Sequence, residues 1–472
     1  MPIRTKIVAT VGPASGESKT IRQLAQAGCD VFRVNFSHGD DEQRAGFLAG
    51  IRAAESELGW PLAVMADLCG PKIRVGPIAG GSVLLADGQE LVIQREPIEG
   101  KADRISTTLH ELADAVSRGD AILMDDGSIR MEVVEVRGSD EVVCRIVRGG
   151  VLAGSKGVNL PHVRMPIDAL TEKDRRDVAH IAAGDFDYVA LSFVRSAKDI
   201  EALRKLLDAA GCGAHIVAKI EKPQAVDDID AIIASADAIM VARGDLGVEM
   251  PLPEVPIVQK QIARLCLAAS KPCIIATEML VSMTHRPRPT RAEVSDVANA
   301  VLDRADAVML SGETAIGEFP VAAVAMMNEI VARVEVYDDP ARVAVQPASS
   351  SDRVATALAG EIHEIVRDEG IAAVAVFTAT GATALVLAKN RLPVPVLAIS
   401  PEIHAVRRMC LYYGVDSILA DAPKHTPDVL KLASGFCLEH KIARRGDKIV
   451  VVPSRAVGKP GATDTLMVHT IG

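Results

Sequence analysis

Through the first 312 residues, short apolar runs recur, each followed by an amphipathic stretch: IRTKIVAT, DVFRVNF, PLAVMADL, DYVALSF, AHIVAKIE, DAIMVAR, PCIIATE and DAVMLSG. The runs read as strands and the stretches between them as helices, and that alternation implies parallel pairing through crossovers. Eight such units predict a closed (β/α)8 TIM barrel, a fold whose chemistry gathers at the C-terminal ends of its strands.

The spacing breaks once. Between PLAVMADL and DYVALSF lie about 120 residues, far more than one loop and helix require. Alternating, Gly-punctuated segments such as GSVLLADGQELVI and EVVEVRGSDEVVCRIV fill the gap and read as hairpins. The expected organisation is barrel over 1–69, an inserted small β-barrel lid over 70–167, and barrel again over 168–340. After residue 340 a helix and strand pattern restarts with IAAVAVF, VPVLAI and DKIVVVPS, so 341–472 reads as a separate C-terminal α/β domain, with QPASSSD at 346–352 as a linker.

Composition narrows the classes. The chain is 472 residues long and 49% apolar, yet no segment approaches the run of about 20 apolar residues that a membrane helix needs. The N-terminus runs straight into strand-like alternation without signal-peptide character, and eight cysteines occur without a C-x-x-C pair, which favours a reducing cytoplasm. A net charge of −10 and 3% aromatics argue against a nucleic-acid partner.

Candidate chemistry sits at the strand ends. In IVAKIEKP, Lys219 and Glu221 are two apart and share one face of a strand. Polar residues close other strands too: Arg33, Asn35, Ser37 and His38; Asp67; Arg243 and Asp245; Thr277 and Glu278; Ser311 and Glu313. Singly, each reads as a solvated strand end or a structural ion pair. Convergence on one rim weakens that reading. Glu221 and Asp245 together suit a hard divalent cation such as Mg²⁺, Lys219 beside them suits a phosphoryl group in flight, and Arg33 offers a planar phosphate clamp.

The stretches RVNFSHG, KGVNLP, AKIE, ARGDLGVE and PTRAEVSDVANAVLDRADAVMLSGETAIGEFP resemble those of pyruvate kinases, over nearly the whole chain. The resemblance implies phosphoryl transfer from phosphoenolpyruvate to ADP, giving pyruvate and ATP, with Mg²⁺ as cofactor and Mn²⁺ as a substitute. By it, Arg33 holds the substrate phosphate, Lys219 stabilises the transferring group, and Glu221 and Asp245 hold the metal. Gly244, Asp245 and Thr277 position the substrate carboxylate, and Thr277 belongs to the proton-delivery chain. Asn35, Ser37, His38, Arg74 and the lid residue Lys156 face the nucleotide. The family also implies a homotetramer.

One departure concerns the monovalent cation. Asp67-Leu68-Cys69-Gly70-Pro71-Lys72 carries a lysine where many relatives have a glutamate. In potassium-requiring members the ion sits in a pocket matching Asn35, Ser37, Asp67 and the carbonyl at Leu68. A fixed ammonium at Lys72 supplies comparable charge, so K⁺ independence is expected. Glu278, where many relatives have glutamine, has no firm account. In the last domain FTATGATALVLAKN reads as strand, Thr/Gly loop and helix, an anion-binding arrangement in which Thr378, Thr380, Gly381 and Thr383 are candidates for a phosphorylated allosteric effector. Ala382 stands where some relatives place a basic residue, which speaks against fructose 1,6-bisphosphate. Two rivals stay open at this point: a metal-dependent lyase or aldolase acting on pyruvate or phosphoenolpyruvate, and a non-catalytic metabolite sensor.

Overall fold

A computed structural model describes residues 3–161, 163, 168–337, 353–421, 425–453 and 465–472. The linker expected at 346–352 and the domain boundary expected at 340 lie outside the described residues, as do the last residues of the expected lid segment.

Eight parallel strands close into a barrel: Lys6–Val11 (β1), Val31–Asn35 (β2), Ala63–Asp67 (β3), Tyr188–Leu191 (β4), His215–Ile220 (β5), Ala238–Ala242 (β6), Cys273–Ala276 (β7) and Ala307–Leu310 (β8). Each pairs with its neighbours in chain order, and β8 returns to β1. All eight runs expected from the apolar pattern are therefore strands.

Strand periodicity divides each of them between two environments. Ile7, Phe32, Val34, Ile216, Ala218 and Ile220 point outward into the core beneath the surrounding helices. The alternate residues Val8, Val31, Met65, Tyr188, Val217, Met240 and Met309 fill the barrel's lower interior. Further up the same inward face the apolar side chains give way to Thr10, Arg33, Asp67, Ser192 and Lys219, all buried. The apolar layers form a floor, and the polar layer above it gathers charge at the C-terminal end of the barrel.

Between β3 and β4 the lid forms a six-stranded sheet, ordered Val158–Asn159, Ala121–Met124, Ile129–Arg137, Glu141–Arg148, Glu90–Gln94 and Arg104–Ser106, with a separate two-stranded ribbon of Ser82–Leu85 and Gly150–Ala153. Both wrap one apolar core that includes Leu85, Ile93, Ile122, Val133 and Leu152.

The C-terminal domain is a five-stranded sheet ordered Val415–Leu419, Val396–Ser400, Ile371–Phe377, Lys448–Val452 and Met467–Thr470, the last antiparallel. The sequence pattern identifies the three central strands and misses the two edges. In Val415–Leu419, Asp416 and Ser417 interrupt the apolar run, and Met467–Thr470 alternates between half-buried and exposed, because an edge strand has only one neighbour to bury it.

One face of this sheet and the helices Arg353–Glu369, Ala382–Lys389 and Ile403–Met409 plug the bottom of the barrel, continuing the core that begins with Val8 and Met65. Buried charge accompanies the apolar contact. Asp306, just before β8, receives Lys389 Nζ at 2.5 Å, Arg391 at 3.2 Å and the Cys273 amide at 2.7 Å. The Arg391 guanidinium stacks 3.8 Å from the Tyr413 ring.

All eight cysteines are free thiols. No described helix is long and apolar enough to cross a membrane.

Candidate active site

The C-terminal rim of the barrel carries a continuous network of charge. Arg33, on the inward face of β2, donates from Nε to Asp67 Oδ2 at 2.7 Å and from Nη1 to Thr10 Oγ1 at 2.9 Å. Asp67 reaches across its other oxygen to Lys219 Nζ at 3.3 Å. Lys219 meets Glu221 Oε1 at 2.8 Å and Ser192 Oγ at 2.8 Å, and the Phe193 amide donates to Glu221 Oε2 at 2.8 Å. Lys219 and Glu221 thus project together from one face, as their two-residue spacing requires. Asp245, in the helix Arg243–Glu249 that follows β6, lies close enough for its charge to act on both.

The protonation states follow from this geometry. Burial alone would lift the Asp67 carboxyl, but Lys219 and Arg33 outweigh it and hold it below the ordinary carboxylate value. Burial disfavours the Lys219 ammonium, yet Asp67 and Glu221 reverse that and raise its pKa. Glu221 is the opposite case. Burial raises its carboxyl, Lys219 offsets this only in part, and the like charge of Asp245 adds to the rise. Within this cluster three carboxyl groups, Asp67, Glu221 and Asp245, face two cations, Arg33 and Lys219. Among the described residues no group of three or more His, Cys, Asp or Glu side chains could by itself hold a metal. Beside Asp67, which is taken up by Arg33 and Lys219, the rim offers Glu221 and Asp245, a donor set that fits a hard divalent ion completed by substrate oxygens and water.

Thr277 and Glu278, straight after β7, both adopt left-handed backbone, with φ of 71° and 56°. That conformation is costly for residues with a Cβ, most of all for a β-branched threonine. Arg243 secures the turn by donating to the Ala276 and Thr277 carbonyls while it pairs with Asp296 at 2.7 Å. The result places Thr277 Oγ1 2.6 Å from the Gly244 amide. Glu278 points to solvent.

A cleft of about 290 Å³ opens beside this network between barrel and lid, lined by Lys72, Arg74, Lys156, Arg195, Lys222 and Asp245 among others. Arg74 donates to the Ser155 carbonyl at 3.0 Å, and Lys156 pairs with Asp125 at 2.7 Å. His38 is exposed at the same end. Burial first, then the charges of Lys72, Arg74 and Arg33, lower its pKa. Lys72 itself is exposed. Three members of the expected monovalent-cation pocket, Asn35, Asp67 and Leu68, have oxygens engaged by protein donors. The Ser37 amide donates to Asn35 Oδ1 at 2.9 Å, Ser192 Oγ donates to the Leu68 carbonyl at 2.8 Å, and Asp67 holds Arg33 and Lys219.

A family model described as the pyruvate kinase barrel domain matches residues 3–324, and one described as the pyruvate kinase alpha/beta domain matches 356–469. The chain belongs to the pyruvate kinase family. A pyruvate kinase of Mycobacterium tuberculosis is 41% identical over 100% of this chain and 99% of its own length. Pyruvate kinase 2 of a Synechocystis species is 42% identical over 100% of this chain and 80% of its own length. A crystal structure of a pyruvate kinase from Cryptosporidium parvum superposes with a TM-score of 0.94 at 32% identity, covering 100% of this chain and 96% of that one. As a member of that family the chain is a phosphotransferase, and the lyase and sensor readings fall away.

Within the pyruvate kinase barrel, Arg33, Asp67, Lys219, Glu221 and Asp245 form one cluster. Lys72, Arg74 and Lys156 line the neighbouring cleft. Thr378, Thr380, Gly381 and Thr383 lie in a different domain. There the Gly381 amide donates to Thr378 Oγ1 at 3.0 Å and the Ala382 amide to Thr380 Oγ1 at 3.4 Å, so the loop's own threonines cap the helix Ala382–Lys389.

Two neighbours of the cluster escape the sequence reading. Ser192, directly after β4, holds both Lys219 and the Leu68 carbonyl; Thr10 ends the inward face of β1 and holds Arg33. Counting inward positions two at a time along those strands would have found both.

Proposed function

We propose that the phosphoryl group moves from phosphoenolpyruvate to ADP at the rim where Lys219, Glu221, Asp67 and Arg33 meet. The observation that supports this most is the buried Lys219 ammonium, held 2.8 Å from Glu221 and 3.3 Å from Asp67 with its pKa raised. Such a cation stays charged at every working pH and is oriented before the substrate arrives, which is what stabilising charge in flight requires.

Arg33, already oriented by Asp67 and Thr10, presents its remaining guanidinium edge to the substrate phosphate. Glu221 and Asp245 would hold Mg²⁺, or Mn²⁺ in its place, and the ion would supply positive charge toward the incoming phosphate. Thr277 and the Gly244 and Asp245 amides position the carboxylate, and Thr277 belongs to the path by which the enolate is protonated to pyruvate. The nucleotide lies in the lid cleft against Arg74 and Lys156, with Asn35, Ser37 and His38 on its barrel side. The test is incubation with phosphoenolpyruvate, Mg²⁺ and ADP, read as ATP formed; pyruvate released without nucleotide overturns the assignment.

K⁺ independence belongs to the same proposal. Support comes from Lys72 at the cleft and from the pocket oxygens at Asn35, Asp67 and Leu68 being engaged by protein donors. In the C-terminal domain the loop Thr378–Thr383 is proposed to take a phosphate of an allosteric effector, supported by its place at a helix N-terminus and by Gly381 at φ +86°. The assembly is proposed to be a homotetramer on the family resemblance, with light scattering as its check.

A further inference from the structure

Away from the phosphoryl rim, one carboxylate ties three parts of the fold together. Glu249 ends the helix Arg243–Glu249, whose opposite end carries Gly244 and Asp245, and it is only 2% exposed. A single oxygen, Oε1, takes Lys222 Nζ at 2.5 Å and Asn159 Nδ2 at 2.8 Å. The other, Oε2, is buried without a hydrogen-bond partner. Asn159 belongs to the last strand of the lid, whereas Lys222 directly follows Glu221 and sits 5.8 Å from the Phe193 ring centroid. Both line the cleft between lid and barrel. A second contact adjoins the first, since a Cβ built on the lid residue Gly127 would stand 3.7 Å from Val248 Cγ1.

The physical consequence is a joint held from one side. A buried carboxylate oxygen without a donor is costly, and water would satisfy it if the lid lifted. At this joint the lid is tied to Glu249 by the single Asn159 bond, which shares Oε1 with the Lys222 ion pair. Displacing Asn159 then leaves Lys222 alone on Glu249 Oε1.

We propose that Glu249 is the positioning residue through which the lid strand carrying Asn159 sets the Lys222 ammonium for the incoming nucleoside diphosphate. This rests on the reading of the lid cleft as the nucleotide site. Steady-state kinetics on Glu249→Gln, Asn159→Ala and the double variant test it, with Lys156→Ala run in parallel.

Glutamine keeps the volume and removes the charge. The KM for ADP is expected to rise about tenfold, the effect of losing one charge-assisted hydrogen bond, with the KM for phosphoenolpyruvate within about twofold. Asn159→Ala is expected to act in the same direction, and the double variant to be no worse than the more severe single one, because both remove the same joint. An unchanged KM for ADP in Glu249→Gln, alongside a raised one in Lys156→Ala, overturns the proposal and leaves the cleft reading standing. A fall in kcat and thermal midpoint with the ratio of the two KM values unaltered shows a purely structural residue and also overturns it. If Lys156→Ala leaves the KM for ADP unchanged, the cleft reading fails and takes this proposal with it.

Discussion

Replacing Lys219 by methionine tests the proposed mechanism most directly. Methionine keeps most of the apolar stem and deletes the ammonium that lies 2.8 Å from Glu221, 2.8 Å from Ser192 and 3.3 Å from Asp67. A phosphoryl oxygen brought to a comparable distance of about 4 Å from that charge, at the effective dielectric of about 20 suited to protein sites, gains roughly 4 kcal/mol. At 1.36 kcal/mol for each factor of ten, kcat should fall by roughly 10³, with the KM for phosphoenolpyruvate changing by less than about tenfold. The same deletion leaves Asp67 and Glu221 buried with less compensation. Burial and Asp245 already raise the Glu221 carboxyl and losing Lys219 raises it further, while Asp67 keeps Arg33. Breaking a buried pair still costs about 3–5 kcal/mol, so urea unfolding must accompany the pyruvate-formation assay and the rate must be referred to folded protein. A kcat within tenfold of wild type, combined with a KM raised by orders of magnitude, would place Lys219 in ground-state binding only and refute the reasoning.

The remaining predictions concern metal, monovalent cation, effector and domain docking. Protons and Mg²⁺ compete for Glu221, whose carboxyl is raised by burial and by Asp245, so the acid limb of the pH profile should move to lower pH as Mg²⁺ is increased; a limb independent of Mg²⁺ counts against the metal site. Wild-type activity should persist in buffer free of K⁺ and NH₄⁺, and Lys72→Glu should introduce a K⁺ requirement; a strict requirement in the wild type sinks the idea. Gly381→Asp combined with Thr383→Ala should abolish any phosphate-dependent shift in substrate saturation, since position 381 has φ +86° and its Cβ would meet Met409 Cγ at 3.1 Å; a shift that survives removes this loop as the effector site. Asp306→Asn should cost about 3–5 kcal/mol by leaving Lys389 and Arg391 buried without a counter-charge, read as a lowered urea midpoint; a loss under about 1 kcal/mol would show that apolar contact alone docks the C-terminal domain.

The apolar alternation alone determined the eight barrel strands, the inserted lid and the final α/β domain, because a strand buried on both faces needs a run of apolar residues whatever surrounds it. It also determined that Lys219 and Glu221 emerge on one side, since strand period is a local property. Tertiary structure decided the rest. Which inward positions form floor and which form rim depends on strand register, and only closure of the barrel brings Asp67 of β3 against Lys219 of β5 and Arg33 of β2. The pKa of Glu221 is likewise a property of its neighbours, as is the pairing of Asn159 with Glu249, 90 residues away. Edge strands such as Val415–Leu419 went unread because partial burial leaves a weaker pattern. Local pattern states what a segment can bury; the closed fold settles which charges must then face one another.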